Sequence, residues 1–138
     1  MNTLIMTMGL PRSGKSTWAN KQSYPMVNPD AIRLALYGQP FIANGEIMVW
    51  AIAKYMVRAL FLAGHKTVIL DATNTTKKRR DEWVDDSWEI KYKVFNTSEK
   101  ICIKRARSIK REDLVEVIKY MTISWNTEGI TSENLWKE

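Results

Sequence analysis

The chain has 138 residues, 45% of them hydrophobic, which fits a single domain over residues 1–138 and leaves no room for a second catalytic domain. Its net charge of +6 is typical of a protein that binds an anionic partner, either a nucleic acid or a phosphorylated substrate. The single cysteine, Cys102, excludes a disulfide framework and predicts a reducing, cytoplasmic location. The longest apolar stretch, residues 47–63, contains Lys54 and Arg58, so we expect no membrane span.

Short apolar strands alternate with helical patterns along the chain, which predicts an α/β fold. The predicted strands are residues 3–7, 26–27, 67–71 and 89–95. The predicted helices are residues 16–22, 31–37, 46–63, 76–85, 99–106 and 113–125. Asp30 lies at the expected N-cap of the second helix, and residues 126–138 have no predicted element. This order indicates a three-layer sandwich with a mostly parallel sheet flanked by helices, with its ligands on one side.

A glycine-rich stretch at residues 8–17 has the form G-x-x-x-x-G-K-[ST]. Gly9 and Gly14 permit a tight loop whose N–H groups point at phosphates. The Lys15 ammonium then reaches the β- and γ-phosphates, and the Ser16 hydroxyl can bind Mg²⁺ at the start of a helix. Because a strand precedes this loop and a helix follows it, the stretch predicts binding of ATP and Mg²⁺. The residues expected to contact the nucleotide are Gly9, Arg12, Ser13, Gly14, Lys15, Ser16 and Thr17.

A phosphate-binding loop alone does not distinguish a kinase from an ATPase or a GTPase. Asp30 and Arg33 are three residues apart at a helix start, so their side chains project to the same side. In a phosphoryl transfer, a carboxylate there can accept the proton of an attacking hydroxyl while the arginine holds a substrate phosphate. A helix cap and a solvated arginine explain the same spacing, so the residues alone leave both interpretations open.

Two further features belong to the expected active site. Asp71 ends an apolar strand, where a carboxylate can order a metal ion or water, and we favour this role over a simple turn. The span 107–111 between two helices is strongly basic and lies where a mobile lid can close over the transferring phosphoryl group. Arginines in such a lid neutralise charge on the phosphoryl oxygens, although most members of a charged run are simply solvated.

Three stretches together resemble one family of P-loop kinases, over nearly the whole chain. They are residues 9–19 (G-L-P-R-S-G-K-S-T-W-A), 28–33 (N-P-D-A-I-R) and 69–74 (I-L-D-A-T-N). The family includes the kinase domain of bacteriophage polynucleotide kinases and, further off, zeta toxins. The resemblance implies a P-loop NTPase fold of the nucleotide-kinase type with an arginine-rich lid. It also implies Mg²⁺- and ATP-dependent transfer of the γ-phosphoryl group to a hydroxyl, the 5′-hydroxyl of a nucleic acid in the polynucleotide kinases.

Residue by residue, the resemblance assigns roles to both sides of the site. Lys15 and Ser16 match the family's phosphate and metal residues, Asp30 its general base and Arg33 its substrate-holding arginine. Asp71 matches the acidic residue at the strand end near the acceptor. The turn that follows Asp71 is placed on the same acceptor side, which adds two expected substrate-binding residues, Thr73 and Asn74.

The lid departs from the family pattern. Members carry Arg-Asn at the end of the helix before the lid and a further arginine inside the lid, whereas here Arg105 is followed by Ala106. Arg105 therefore matches as a catalytic residue, and Arg107 and Arg111 are both candidates for the lid arginine. Within 138 residues we expect no phosphatase domain of the kind that some of these proteins append.

These observations favour a kinase that phosphorylates the 5′-hydroxyl of DNA or RNA, with Asp30 as general base. Two alternatives stay open. One is a kinase that acts on a small molecule, namely a nucleoside, a nucleotide or a sugar. The other is a module in which ATP switches affinity for a nucleic acid without any transfer.

Overall fold

A computed structural model describes all residues, 1–138, as a parallel sheet covered by helices on both faces. Its strands are β1 (Asn2–Met8), β2 (Met26–Val27), β3 (Thr67–Leu70) and β4 (Trp88–Val94). Its helices are α1 (Lys15–Asn20), α2 (Pro29–Tyr37), α3 (Glu46–Leu62), α4 (Lys77–Asp81), α5 (Glu99–Ser108) and α6 (Asp113–Ile123), with a short 3₁₀ turn at Ala43–Gly45. The four strands lie in the order β2-β3-β1-β4 and all pair in parallel, which confirms the predicted α/β architecture.

The two central strands, β1 and β3, are buried on both faces. Ile5 lies beside Ile69 in the register, and both pack with Ala19 of α1 on one face. The alternate residues of the same strands face the larger core, where α2 and α3 pack against the sheet. Because side chains alternate between the two faces of a strand, a strand buried on both faces requires a continuous apolar run. Helices therefore cover both faces of the sheet, which is the predicted three-layer arrangement.

The register places the chemistry at one edge of the sheet. Met6 of β1 and Val27 of β2 both pair with Leu70 of β3, so these three strands reach their carboxyl ends together. The residues that follow them are the glycine-rich loop, the start of α2 and Asp71. Parallel strands thus bring three distant segments to one edge, as expected for a ligand site in such a fold.

Helices α5 and α6 form a hairpin that packs on the glycine-rich loop. Leu10 of the loop lies in a small core with Cys102 and Ala106 of α5 and Ile118 of α6. Helix α5 continues to Ser108, beyond its predicted end at residue 106, so Arg107 is helical, and the predicted lid over 107–111 stays a prediction. Arginine and serine following a buried alanine extend a helix readily, and the connection between the two helices is short.

The C-terminal residues 126–138, for which no element was predicted, run beside β4. The Trp136 N–H donates to the Tyr92 carbonyl and the Tyr92 N–H donates to the Asn134 carbonyl, each at 2.8 Å. These bonds pair the outer edge of β4, which was correctly predicted to lie at the edge of the sheet. None of the helices in the structure combines the length and apolar character needed to cross a membrane.

Helix α4 is shorter than predicted, because it ends at Asp81 rather than at residue 85, and it contains a buried cation. The Arg80 side chain is 1% exposed and donates to the Asn74 carbonyl at 3.0 Å and to the Glu128 carbonyl at 2.9 Å. Arg80 therefore joins the turn after β3 to the C-terminal segment.

Replacing Arg80 with Met is expected to lower the free energy of unfolding by about 2–4 kcal/mol, because one buried and one partly buried carbonyl oxygen lose their donor. Urea unfolding followed by tryptophan fluorescence measures this change. Lys78→Met, a substitution of an exposed lysine on the same helix, is the matched control and is expected to change stability little. Equal effects from the two substitutions would contradict the bridging role of Arg80.

Candidate active site

The loop between β1 and α1 has the backbone geometry of a phosphate cradle. Gly14 has φ 104°, and Arg12 has φ 68°. A Cβ on Gly9 would lie 2.5 Å from Ser13 Oγ and 3.0 Å from Phe95 Cβ, so a larger residue there forces the loop apart. No side chain caps α1, and the N–H groups of its first turn stay free for an anion. Thr17 follows on this turn, exposed to solvent.

Lys15 is folded back against the glycine-rich loop. Its side chain is buried, and Nζ donates to the Leu10 carbonyl at 2.7 Å and to Ser13 Oγ at 3.4 Å. Burial lowers the pKa of Lys15 to about 8, although the negative charges of Asp71 and Asp30 oppose this shift. A triphosphate in the loop offers the ammonium a stronger partner than the Leu10 carbonyl.

Because burial lowers the pKa of Lys15, we expect the stability of the protein to depend on pH. A lysine whose pKa falls on folding binds fewer protons in the folded state than in the unfolded state between about pH 8 and 10.5. Stability from this group therefore rises with pH across that window, by roughly 3 kcal/mol at most. Guanidinium unfolding of the wild type and of Lys15→Met at pH 7 and pH 10 tests this. At pH 7 the buried ammonium lowers the stability of the wild type relative to the variant, and at pH 10 the folded wild type no longer carries this charge. We therefore expect the difference in free energy of unfolding between the two proteins to be smaller at pH 10, and an equal difference at both pH values would contradict this prediction.

Asp71 is the centre of a hydrogen-bond network at the carboxyl end of β3. Its Oδ2 accepts from Ser16 Oγ at 2.7 Å and from Asn28 Nδ2 at 3.3 Å, and its Oδ1 accepts from Thr7 Oγ1 at 3.4 Å. The carboxylate is 3% exposed. The structure thus brings together Ser16 and Asp71, the two residues predicted to serve Mg²⁺.

The donor set fits a hard cation. A serine hydroxyl and a carboxylate are oxygen ligands of the type that Mg²⁺ prefers, and they already face each other across the loop. No group of three or more His, Cys, Asp and Glu side chains could enclose a metal ion anywhere in the chain. An ion held by Ser16 and Asp71 would therefore take its remaining ligands from phosphate oxygens and water, as Mg²⁺ does at nucleotide sites.

The turn after Asp71 has a structural role. Asn74 is 1% exposed with φ 46°, and its Nδ2 donates to the Thr7 carbonyl at 2.8 Å. The Thr73 carbonyl accepts the Gly9 N–H at 3.0 Å. The Asn74 side chain is buried against β1, and the predicted contacts of Thr73 and Asn74 with substrate stay predictions. In the structure these two residues hold the turn after β3 against β1 and the glycine-rich loop.

On the opposite side of the cradle, α2 presents Asp30. The predicted cap is wrong, because Asn28 caps α2: its Oδ1 accepts from the Asp30 N–H at 2.8 Å and the Ala31 N–H at 3.4 Å. Pro29 then takes the first helical position, where its missing N–H costs nothing. The Asp30 carboxylate is therefore free of the backbone, and its side chain is 79% exposed.

Arg33 connects Asp30 to α3. Its Nη1 donates to Asp30 Oδ1 at 2.7 Å, while Nε and Nη2 form a two-pronged contact with the Glu46 carboxylate at 2.8 and 2.7 Å. The hydrogen bond with Glu46 is the main cause that raises the pKa of Arg33 and lowers that of Glu46. Glu46 was not predicted as a site residue, since an acid in the first turn of a helix is common.

The three candidate arginines near α5 and α6 differ in their surroundings. Arg105 Nη1 donates to the Arg12 carbonyl at 3.1 Å, so it contacts the glycine-rich loop. Arg107 pairs with Glu112 at 3.1 Å. Arg111 pairs with Asp113 at 3.0 Å, and its pKa is raised by that hydrogen bond and, to a smaller extent, by the charge of Asp30.

A family model described as an AAA domain matches residues 4–119, which include the glycine-rich loop, α2, Asp71 and α5. The chain belongs to this family of P-loop kinase domains. The matched region contains every residue placed at the sheet edge above, and the family explains the glycine-rich loop as a nucleotide-binding element.

Solved structures agree with this membership. A chain in the structure of the Pnkp1/Rnl/Hen1 complex is similar with a TM-score of 0.67 and 28% identity, over 75% of this chain and 38% of that one. A chain of the Pnkp1/Rnl/Hen1 RNA repair complex has a TM-score of 0.68 and 20% identity, over 99% and 50%. A gluconokinase from Sinorhizobium meliloti 1021 has a TM-score of 0.59 and 20% identity, over 92% and 77%. This P-loop kinase domain therefore spans half or less of the two Pnkp1/Rnl/Hen1 chains.

Proposed function

We propose that residues 1–138 form a single kinase domain that transfers the γ-phosphoryl group of ATP to the 5′-hydroxyl of a nucleic acid. The observation that carries this proposal is Asp30. It is an exposed carboxylate, unused by helix capping, and held by Arg33 at the same sheet edge as the phosphate loop. A carboxylate in this position can serve as the base that a kinase uses for its acceptor hydroxyl.

The donor side requires little rearrangement. The free N–H groups of the loop would bind the phosphates, and Lys15 would exchange the Leu10 carbonyl for phosphate oxygens. Ser16 and Asp71 would hold Mg²⁺, which neutralises charge on the phosphates when it is bound. Arg105 already contacts the loop through the Arg12 carbonyl, so it is positioned beside the nucleotide.

On the acceptor side, Asp30 accepts the proton of the hydroxyl as its oxygen bonds to the γ-phosphorus, while the bond from that phosphorus to the β–γ bridging oxygen breaks and ADP leaves. The two carboxylate oxygens have separate tasks, since Oδ1 accepts from Arg33 and Oδ2 has no partner and is free for the hydroxyl. Arg111 neutralises charge that spreads over the phosphoryl oxygens during transfer. Its helical hairpin is anchored to the loop through Leu10, which keeps it close to both ligands.

A nucleic acid is the acceptor that the charge distribution favours. The net charge is +6, and Arg12, Lys104 and Lys110, which surround the loop and the α5–α6 hairpin, have no carboxylate partner. Such uncompensated cations bind a phosphate backbone by releasing counterions. The likeness to a chain of the Pnkp1/Rnl/Hen1 complex points the same way.

A small-molecule kinase is the second candidate, because the gluconokinase has the same fold. The test is label transfer from γ-labelled ATP and Mg²⁺ to a 5′-hydroxyl oligonucleotide, with gluconate in a separate reaction and a 5′-phosphorylated oligonucleotide as control. The proposal expects label in the first acceptor alone. Label in gluconate alone supports the second candidate, and salt-sensitive oligonucleotide binding without any transfer supports an ATP-switched binding module.

Asp30→Asn is expected to reduce transfer by about 10²–10⁴-fold, because the amide cannot accept the proton, while ATP affinity stays near that of the wild type. Initial rates and equilibrium binding of a fluorescent ATP analogue measure the two effects. Asp86→Asn removes another exposed carboxylate, at the opposite end of the sheet, and is the control. Near-normal turnover in Asp30→Asn would remove Asp30 from the role of base.

Arg111→Ala and Arg107→Ala form a second matched pair, since each arginine pairs with one acidic neighbour on the same hairpin. We expect Arg111→Ala to lower kcat by about 10²-fold or more and Arg107→Ala to change it less than threefold, because the charge of Asp30 contributes to the raised pKa of Arg111, whereas Arg107 lies within helix α5 and pairs with Glu112. The reverse order would identify Arg107 as the lid arginine.

A further inference from the structure

The acceptor side of the site contains a glutamate that no sequence motif indicated. We propose that Glu46 is a positioning residue, which fixes the guanidinium of Arg33 and, through it, the carboxylate of Asp30. This inference rests on the proposed function, because it concerns the base of that same reaction. It also assigns Arg33 to the orientation of Asp30 rather than to binding of an acceptor phosphate.

The geometry of Arg33 carries the first step. Three of its donors are in use: Nε and Nη2 bind the two oxygens of Glu46 at 2.8 and 2.7 Å, and Nη1 binds Asp30 at 2.7 Å. A two-pronged contact of this kind fixes the plane of a guanidinium as well as its position. Because the Arg33 side chain is 14% exposed, little solvent competes for these bonds.

The second step concerns Asp30. Its side chain is 79% exposed, and Arg33 is the one side chain that binds it. An exposed carboxylate with one partner is as well ordered as that partner. Apart from Arg33, no residue of α2 contacts the Asp30 carboxylate. The contact between Arg33 and Glu46 on α3 therefore determines how precisely the Asp30 carboxylate is oriented.

Glu46 is itself held in place by aromatic and cationic neighbours. Trp50 Nε1 donates to Glu46 Oε1 at 3.3 Å, and the Arg79 guanidinium lies 4.2 Å above the centre of the Trp50 ring. Arg33 lies over the same ring at 5.8 Å. The contacts thus run from Asp30 and Arg33 on α2 to Glu46 and Trp50 on α3, and from the Trp50 ring to Arg79 on α4.

Charge determines the role of Arg33. Two carboxylates contact one guanidinium, so the group of three has a net charge of −1. An acceptor phosphate would add a further negative charge beside Glu46 and Asp30. Arg33 is thus poorly suited to hold a phosphate while Glu46 is in place, whereas it is well suited to orient Asp30.

Glu46→Gln separates these roles with two acceptors, a 5′-hydroxyl oligonucleotide with an ordinary first phosphodiester and one with a neutral methylphosphonate there. The inference expects kcat to fall about 10–100-fold with both acceptors, because Asp30 is misaligned, and the KM for ATP to stay unchanged. Asp85→Asn is the control, since it breaks the Arg58–Asp85 ion pair between α3 and the start of β4, away from the site. Thermal unfolding of both variants accounts for any loss of folded protein.

Two results would overturn the inference. One is a kcat within twofold of the wild type with both acceptors. The other is an unchanged kcat with a lower KM for the phosphodiester acceptor alone, which would show that release from Glu46 frees Arg33 to bind a phosphate. If the wild type transfers label to neither oligonucleotide, the proposed function and this inference both fail. That outcome differs from the two results above, in which the wild type is active and only the inference fails.

Discussion

The hydrogen bonds around the Asp71 carboxylate hold the active site together. They join Thr7 on β1, Ser16 on α1 and Asn28 before α2 at a single buried group. A carboxylate that is 3% exposed is costly unless its oxygens are well partnered, and here three donors supply that compensation. The phosphate loop and the start of α2 therefore have a fixed relation to β3, and every later feature of the site is built on that relation.

The two sides of the site differ in burial, and this difference suits an ordered phosphoryl transfer. On the donor side, Lys15 and Asp71 are buried and already face the loop. On the acceptor side, Asp30 is exposed and the α5–α6 hairpin carries arginines on its surface. Under the proposed function, a preformed nucleotide cradle beside an open acceptor surface would admit a large substrate such as a nucleic acid end, which would complete the site by excluding water.

The sequence predicted what local patterns determine, namely the strand-loop-helix around Lys15, the buried central strands and the carboxylate at the end of β3. Features that depend on contacts between distant segments were missed. Glu46 meets Arg33 across two helices, and Arg80 is buried because residues 126–138 fold over it. Asp30 was misplaced as a cap because Asn28 and Asp30 are both good capping residues, and only the backbone geometry chooses between them.

The most direct measurement is a competition in one reaction, with γ-labelled ATP, Mg²⁺ and equal concentrations of a 5′-hydroxyl oligonucleotide and gluconate. The partition of label gives the ratio of kcat/KM for the two acceptors. A kinase of nucleic acid ends, with Asp30 aimed by Arg33 at an open surface, is expected to place at least about 100-fold more label in the oligonucleotide. Label in gluconate, or label released only as inorganic phosphate, would contradict the proposed acceptor.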